Sequence, residues 1–99
     1  MIAFIRTAGI APGKNASMLA FSKEIVGYIK EAYKLDVEVL LPVGGNPQRI
    51  GWTTRHKDLA AYDEINLKFI GDQKYWEIVN KYVDCFMPGT VHDEIWRTL

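Results

Sequence analysis

Hydrophobic and polar positions follow a strand period and then a helix period along the first third of the chain. Residues 2–7 are mostly apolar and predict a strand, which the Gly- and Pro-containing residues 9–13 end. Residues 15–33 predict an amphipathic helix, with Asn15 as its N-cap. The apolar positions that recur at helical spacing are Met18, Phe21, Ile25 and Ile29.

The middle of the chain returns to a strand pattern. Residues 37–43 are rich in Val and Leu and predict a second strand. Residues 44–47, Gly-Gly-Asn-Pro, form a strong turn signal, and residues 49–56 predict a third strand. The second and third strands are therefore expected to form a hairpin.

The last third of the chain predicts a broken helical segment and a final strand. Asp58 is the predicted cap of a helix that carries apolar side chains at 59, 62, 65 and 69. Gly71 interrupts this helix, and residues 75–83 resume the helical spacing. Residues 91–99 alternate and predict a fourth strand.

The element order is β-α-β-β-α-β, which predicts an α+β, ferredoxin-like fold. Its four-stranded antiparallel sheet has the first and third strands in the middle and the helices on one face. The second helical segment is split near Gly71. No linker divides the chain, so residues 1–99 are predicted to form one domain.

Apolar side chains occur on both faces of the predicted sheet, although two helices cover only one face. If Phe4, Leu40, Trp52 and Trp96 were left in water, they would form an apolar patch larger than monomers usually expose. A second copy of the chain, packed sheet face to sheet face, removes this patch. The sequence therefore predicts a homodimer.

The element order, the segment "GDQKYWEIVNKYVDCF" and the closing "MPGTVHDEIWRTL" resemble the dimeric α/β-barrel superfamily. Within it the chain is most similar to NIPSNAP-type and stress-responsive small proteins, and more distantly to the antibiotic-biosynthesis monooxygenases. This resemblance implies pairing into a dimeric α/β barrel, with ligands in the barrel or in the cleft between sheet and helices. Members of the superfamily include cofactor-free oxygenases, haem degraders and dehydratases, so the resemblance also implies several possible activities.

Two strands carry the candidate ligand-binding residues. Trp52, Thr54 and His56 share one face of the third strand, where Trp52 forms a wall or packs in a dimer core and His56 is a possible base. Arg6 shares a face with Phe4, which we expect to be the barrel side. Glu38 and Glu94 are its expected carboxylate partners, and an ion pair or a ligand anion would satisfy Arg6 there.

His92, Asp93 and Glu94 are consecutive, so on a strand His92 and Glu94 share one face and Asp93 lies on the other. His56 is the only other histidine and is expected near the opposite end of the sheet. The pattern therefore predicts no metal site, although His92 remains a candidate acid or base. Trp96 and Glu94 join the candidate ligand-binding residues.

No cofactor is predicted. The superfamily's haem degraders combine an Asn, a Trp and a His, and Trp52 matches the second of these. Arg6-Thr7 stands where the resemblance would place the Asn, and Tyr62 stands where it would place the His. Haem degradation is therefore not the favoured activity.

The composition of the chain limits the classes of partner that we expect it to bind. Twelve basic and twelve acidic side chains cancel, which predicts neither a nucleic-acid partner nor a membrane surface. Cys85 is the one cysteine, and residues 1–6 lack a signal-peptide pattern, so a cytoplasmic protein is expected.

Two functions remain open from the sequence. The first is a homodimer that binds an apolar or amphipathic small molecule in the barrel or cleft. The second is a cofactor-free monooxygenase- or isomerase-type enzyme in the same pocket. There His56 or His92 would be the base and Arg6 would stabilise an anion.

Overall fold

The computed structural model describes residues 1–99 and shows one four-stranded antiparallel sheet with helices on one side. The strand order is β2-β3-β1-β4, which confirms the predicted ferredoxin-like arrangement with the first and third strands in the middle. The elements are β1 (Ile2–Gly9), α1 (Asn15–Tyr33), β2 (Glu38–Leu40), β3 (Arg49–His56), α2 (Leu59–Ile70), α3 (Gln73–Lys81) and β4 (His92–Arg97). A short 3₁₀ turn, Val83–Cys85, follows α3.

Two local predictions are wrong. The second strand pairs over only three residues, Glu38–Leu40, because Pro42 cannot donate to a ladder and Gly44 and Gly45 follow it. Asn15 is the first helical residue rather than the N-cap. Lys14 occupies the cap position without a side-chain cap bond. By contrast, the predicted cap Asp58 accepts a hydrogen bond from the amide of Ala61 at 2.8 Å.

The register of the sheet sorts its side chains into two faces, because directly paired residues point the same way. The helix face, turned toward α1, α2 and α3, carries Ile2, Phe4, Arg6, Ala8, Val39, Ile50, Trp52, Thr54, His56, Asp93, Ile95 and Arg97. The open face, on the other side, carries Ala3, Ile5, Thr7, Glu38, Leu40, Gly51, Thr53, Arg55, His92, Glu94 and Trp96. Consecutive residues of β1 are apolar because the strand contributes apolar side chains to both faces of the sheet.

This register corrects the expected orientation of Phe4 and Arg6 and gives the face of Trp52 and His56, which the sequence left open. Phe4, Arg6, Trp52 and His56 lie on the helix face, not on a barrel-facing side. Strand alternation grouped them correctly, but it could not distinguish two faces that both carry apolar side chains. Trp52 therefore packs under the helices and does not contribute to a dimer core.

The core is a single cluster of ten buried residues between the sheet and the helices. Met18, Phe21, Ile25 and Ile29 form the buried stripe of α1, at the spacing that the sequence predicted. Trp52 is the largest side chain opposite them. Its indole Nε1 donates to the hydroxyl of Ser22 at 3.1 Å, which satisfies two buried polar groups inside an apolar core.

Asp72 fixes the break between α2 and α3. Its carboxylate accepts a hydrogen bond from the hydroxyl of Tyr28 at 2.6 Å and another from Tyr33, both on α1. It also caps α3 by accepting from the amide of Tyr75 at 3.0 Å. These hydrogen bonds lower the pKa of Asp72, and the bond to Asp72 raises the pKa of Tyr33 to about 12. The helical break at Gly71 is therefore tied to the end of α1.

None of the helices is both long enough and apolar enough to cross a membrane.

Candidate functional site

A cavity of about 530 Å³ lies between the helix face of the sheet and the three helices. We call it the cleft. It is lined by 21 residues, of which 17 are hydrophobic, and it is partly open to solvent. This volume falls within the range of small-molecule sites, which are mostly apolar with a few polar groups.

All three helices and the two central strands, β1 and β3, contribute to the cleft. β1 and β3 provide its floor through Phe4, Arg6, Trp52, Thr54 and His56. The remaining lining comes from the helices, from the segments that follow them and from the start of the β4 region: Phe21, Ile25, Ile29, Leu35, Val37, Tyr62, Ile65, Asn66, Phe69, Ile70, Tyr75, Trp76, Val79, Val83, Phe86 and Val91.

Helix α2 forms a wall of the cleft and packs against the core cluster only through Phe69. None of its residues is buried, although Tyr62, Ile65 and Phe69 point toward the sheet side. Tyr62 packs against Phe4 and His56, with ring centroids 5.3 Å from each. The apolar stripe of α2 therefore faces the cavity, where a ligand would cover it.

His56 supplies a titratable group to the cleft. It is buried, and its Nε2 lies 2.8 Å from the hydroxyl oxygen of Thr54. No carboxylate hydrogen-bonds to the ring, and burial lowers the pKa of His56 below its ordinary 6.5. The imidazole is therefore neutral at neutral pH and able to accept a proton.

Arg6 is the one cationic side chain of the cleft, and its partner differs from the expected Glu38 or Glu94. Its Nε and Nη2 donate to the two carboxylate oxygens of Asp93, at 2.7 and 2.8 Å. The two residues are directly opposite in the β1–β4 register, which holds this bidentate pair in place. The carboxylate raises the pKa of Arg6, so the guanidinium stays charged.

The other candidates lie outside the cleft. His92, Glu94 and Trp96 are exposed on the open face of β4. Glu94 accepts from the indole of Trp96 at 2.8 Å and lies 3.2 Å from Nε2 of His92. Because His56 and His92 occupy opposite faces and opposite ends of the sheet, one chain does not bring them to the same ligand.

The helical spacing predicts that the tyrosines of the helices line the core or the cleft, and Tyr62 and Tyr75 do line the cleft. The sequence analysis missed Asp93 as the partner of Arg6 beside the cleft. Asp93 was recognised only as not sharing a face with His92. Its pairing with Arg6 depends on the β1–β4 register, which no sequence signal specified.

Neither a protein-family model nor a curated protein matches this sequence. Solved structures do share its fold. An uncharacterised NIPSNAP domain protein from Burkholderia xenovorans superposes with a TM-score of 0.84 at 13% identity, over 100% of this chain and 95% of that one. A NIPSNAP family protein of unknown function from Agrobacterium tumefaciens gives 0.77 at 17% identity, over 97% and 86%.

A proposed antibiotic biosynthesis monooxygenase from Nitrosomonas europaea gives a TM-score of 0.75 at 12% identity, over 100% of this chain and 99% of that one. These matches confirm, at the level of fold, the resemblance to NIPSNAP-like proteins and antibiotic-biosynthesis monooxygenases.

Proposed function

We propose that the protein is a homodimer that binds an apolar or amphipathic small molecule in the cleft. The observation that carries this proposal is the cavity of about 530 Å³ with 17 hydrophobic residues among its 21 lining residues. An apolar cavity of this size, bordered by a helix that has no buried residue, is stabilised when a ligand removes its walls from water.

The open face supports the dimer. Ile5, Leu40 and Trp96 place apolar surface there, and no helix covers them. A second copy packed on the open face would cover this surface and leave the cleft, on the opposite side of the sheet, accessible.

Filling the cleft should weaken ligand binding. Ile65 lines the cavity from α2, so in Ile65→Trp the larger ring would occupy the space of the ligand. We expect the affinity for Nile red, a neutral dye that fluoresces in apolar surroundings, to fall by about tenfold or more, since overpacking costs about 1–3 kcal/mol. Dye fluorescence with visible excitation measures this without interference from tryptophan.

Leu67→Trp is the matched control, because Leu67 lies on the same helix, is 60% exposed and does not line the cavity. It should bind Nile red as the unaltered protein does. If Ile65→Trp also bound the dye with unchanged affinity, the ligand site would lie outside the cleft and the proposal would fail.

The position of His56 favours a second candidate, an enzyme that removes a proton from a cleft ligand, as in the cofactor-free monooxygenase or isomerase type. A neutral imidazole on the cleft floor is the group that such chemistry requires. His92 is exposed on the open face, which leaves His56 as the base. Arg6 is a weaker anion stabiliser than the sequence suggested, because Asp93 already neutralises it.

This candidate enzyme requires a neutral, buried His56. We therefore expect His56 to lower the free energy of unfolding as pH falls. The unfolded chain binds a proton on His56 near pH 6.5, whereas the folded chain, with its lowered pKa, resists protonation. The contribution of neutral His56 to stability is therefore complete above about pH 6.5 and declines as pH falls toward the folded-state pKa. Urea unfolding of the wild type and His56→Gln at several pH values would measure this difference.

The wild type should lose more stability than His56→Gln between about pH 7.5 and pH 5, because the carboxylates that also titrate are common to both proteins. Parallel pH profiles would contradict a neutral, buried His56 and remove the observation that supports the enzyme.

A further inference from the structure

The charge of the cleft is set by a single ion pair. Among the 21 residues that line the cavity, Arg6 is the only permanently charged one, and no Asp or Glu is among them. His56 is the other titratable base, and burial keeps it neutral. The ligand's charge preference therefore depends on how far the positive charge of Arg6 is available to it.

Asp93 neutralises most of the positive charge of Arg6. Both carboxylate oxygens accept from the guanidinium, at 2.7 and 2.8 Å, and the cross-strand register places the two residues opposite each other. Asp93 itself does not line the cavity. It thus neutralises Arg6 from the edge-strand side and leaves the cleft side of the guanidinium facing the ligand.

The pair still leaves a hydrogen-bond donor. Asp93 occupies Nε and one N–H of Nη2, and the Tyr75 hydroxyl lies beside the guanidinium, so a ligand acceptor would share the remaining N–H groups with Tyr75. A carbonyl, amide or ether oxygen can accept from these N–H groups without adding charge. A carboxylate or phosphate there would place two anions on one guanidinium in a largely apolar cavity, which costs binding free energy.

We propose that Asp93 is a specificity-determining residue that makes the cleft select uncharged amphipathic molecules with a neutral oxygen acceptor over carboxylates and other anions. The proposal rests on the proposed function, since it concerns the ligand of the same cleft. Asp93 acts through Arg6 and does not touch the ligand, so its role is to position and neutralise that guanidinium.

Three ligands of equal chain length test the charge preference: octanamide, octanoate and octylamine. At about pH 7.5 they are neutral, anionic and cationic, respectively. Each is titrated against the protein with bound Nile red, and displacement gives its affinity. We expect the wild type to bind octanamide about three- to tenfold more tightly than octanoate, because Arg6 and Asp93 are 38% and 41% exposed and water screens part of the like-charge repulsion.

Single substitutions should reverse the order in opposite directions. Asp93→Asn frees the charge of Arg6, so octanoate should become the tightest of the three ligands by about tenfold. Arg6→Gln leaves Asp93 unpaired at the cleft mouth, so octylamine should improve relative to octanamide. The double variant Arg6→Gln with Asp93→Asn removes both charges and should prefer octanamide again. A purely structural role for the pair would weaken all three ligands alike.

Glu64→Gln is the control for the change in net charge. Glu64 pairs with Lys68 on the exposed side of α2 and does not line the cavity. This variant should keep the ligand order of the wild type. Circular dichroism of each variant confirms that it is folded before its affinities are compared.

The outcomes separate the two proposals. If the wild type binds octanoate as tightly as octanamide, or if Asp93→Asn leaves the order unchanged, the role of Asp93 is wrong although the cleft still binds ligands. If the wild type does not bind Nile red, or none of the three ligands displaces it, the proposed cleft function is overturned and the inference about Asp93 falls with it.

Discussion

Trp52→Ala should destabilise the protein by about 4 kcal/mol, as large-to-small replacements of a buried aromatic ring do. Trp52 is 8% exposed and packs edge-to-face on Phe21, with ring centroids 5.9 Å apart. The substitution also leaves the buried hydroxyl of Ser22 without its indole donor. For a chain of this size, the midpoint of thermal unfolding should fall by roughly 20 °C.

Trp76→Ala is the matched control, because Trp76 is 43% exposed at the rim of the cleft. It should cost about 1 kcal/mol or less. Urea unfolding at one fixed protein concentration compares the two variants, since the stability of a dimer depends on concentration. Equal losses for Trp52→Ala and Trp76→Ala would show that Trp52 does not anchor the core.

The positions of Trp52 and Trp96 show which part of the sheet structure the alternation of the strands specified. Alternation correctly grouped Trp52 with Thr54 and His56 and separated Trp96 from Ile95. It did not say which group the helices cover, because both faces of the sheet carry large apolar side chains. The covered face is the one against which the apolar stripe of α1 packs. This depends on tertiary packing, because the two faces are similarly apolar.

The helices were predictable for a different reason. Nineteen residues of α1 give several turns of consistent spacing, and the break at Gly71 combines a glycine with a capping aspartate. The three-residue β2 was overestimated, because its Val- and Leu-rich sequence continues past the point where Pro42 ends the ladder. Local signals therefore specified element types better than the extent of pairing.

The charged side chains of the site were the hardest to place. Arg6 was expected to need a carboxylate, and it has one, but Glu38 and Glu94 lie on the open face while Arg6 lies on the helix face. Asp93 is the partner because β1 and β4 pair with Arg6 opposite Asp93. A shift of that register by one residue would have placed a different side chain there, so the partner could not be read from the sequence.

Ile5→Lys should convert the protein from a dimer to a monomer. Ile5 lies near the centre of the open face, directly between Thr53 on β3 and Glu94 on β4. In the proposed dimer its side chain is buried against the partner sheet, and a lysine there is a desolvated charge that weakens association by about a hundredfold or more. Sedimentation equilibrium at several concentrations should give twice the 11.3 kDa chain mass for the wild type and a single chain mass for the variant.

Leu19→Lys introduces the same charge on α1, at a side chain that is 44% exposed and far from the open face in the fold, and it should remain dimeric. Because Ile5 faces away from the cleft, the monomeric variant should still bind Nile red, although its apolar open face would then meet water. A wild type that sediments as one chain at every concentration, or an Ile5→Lys dimer of undiminished affinity, would rule out the sheet-to-sheet interface. The cleft, which a single chain forms, would remain, and the homodimer part of the proposed function would fail.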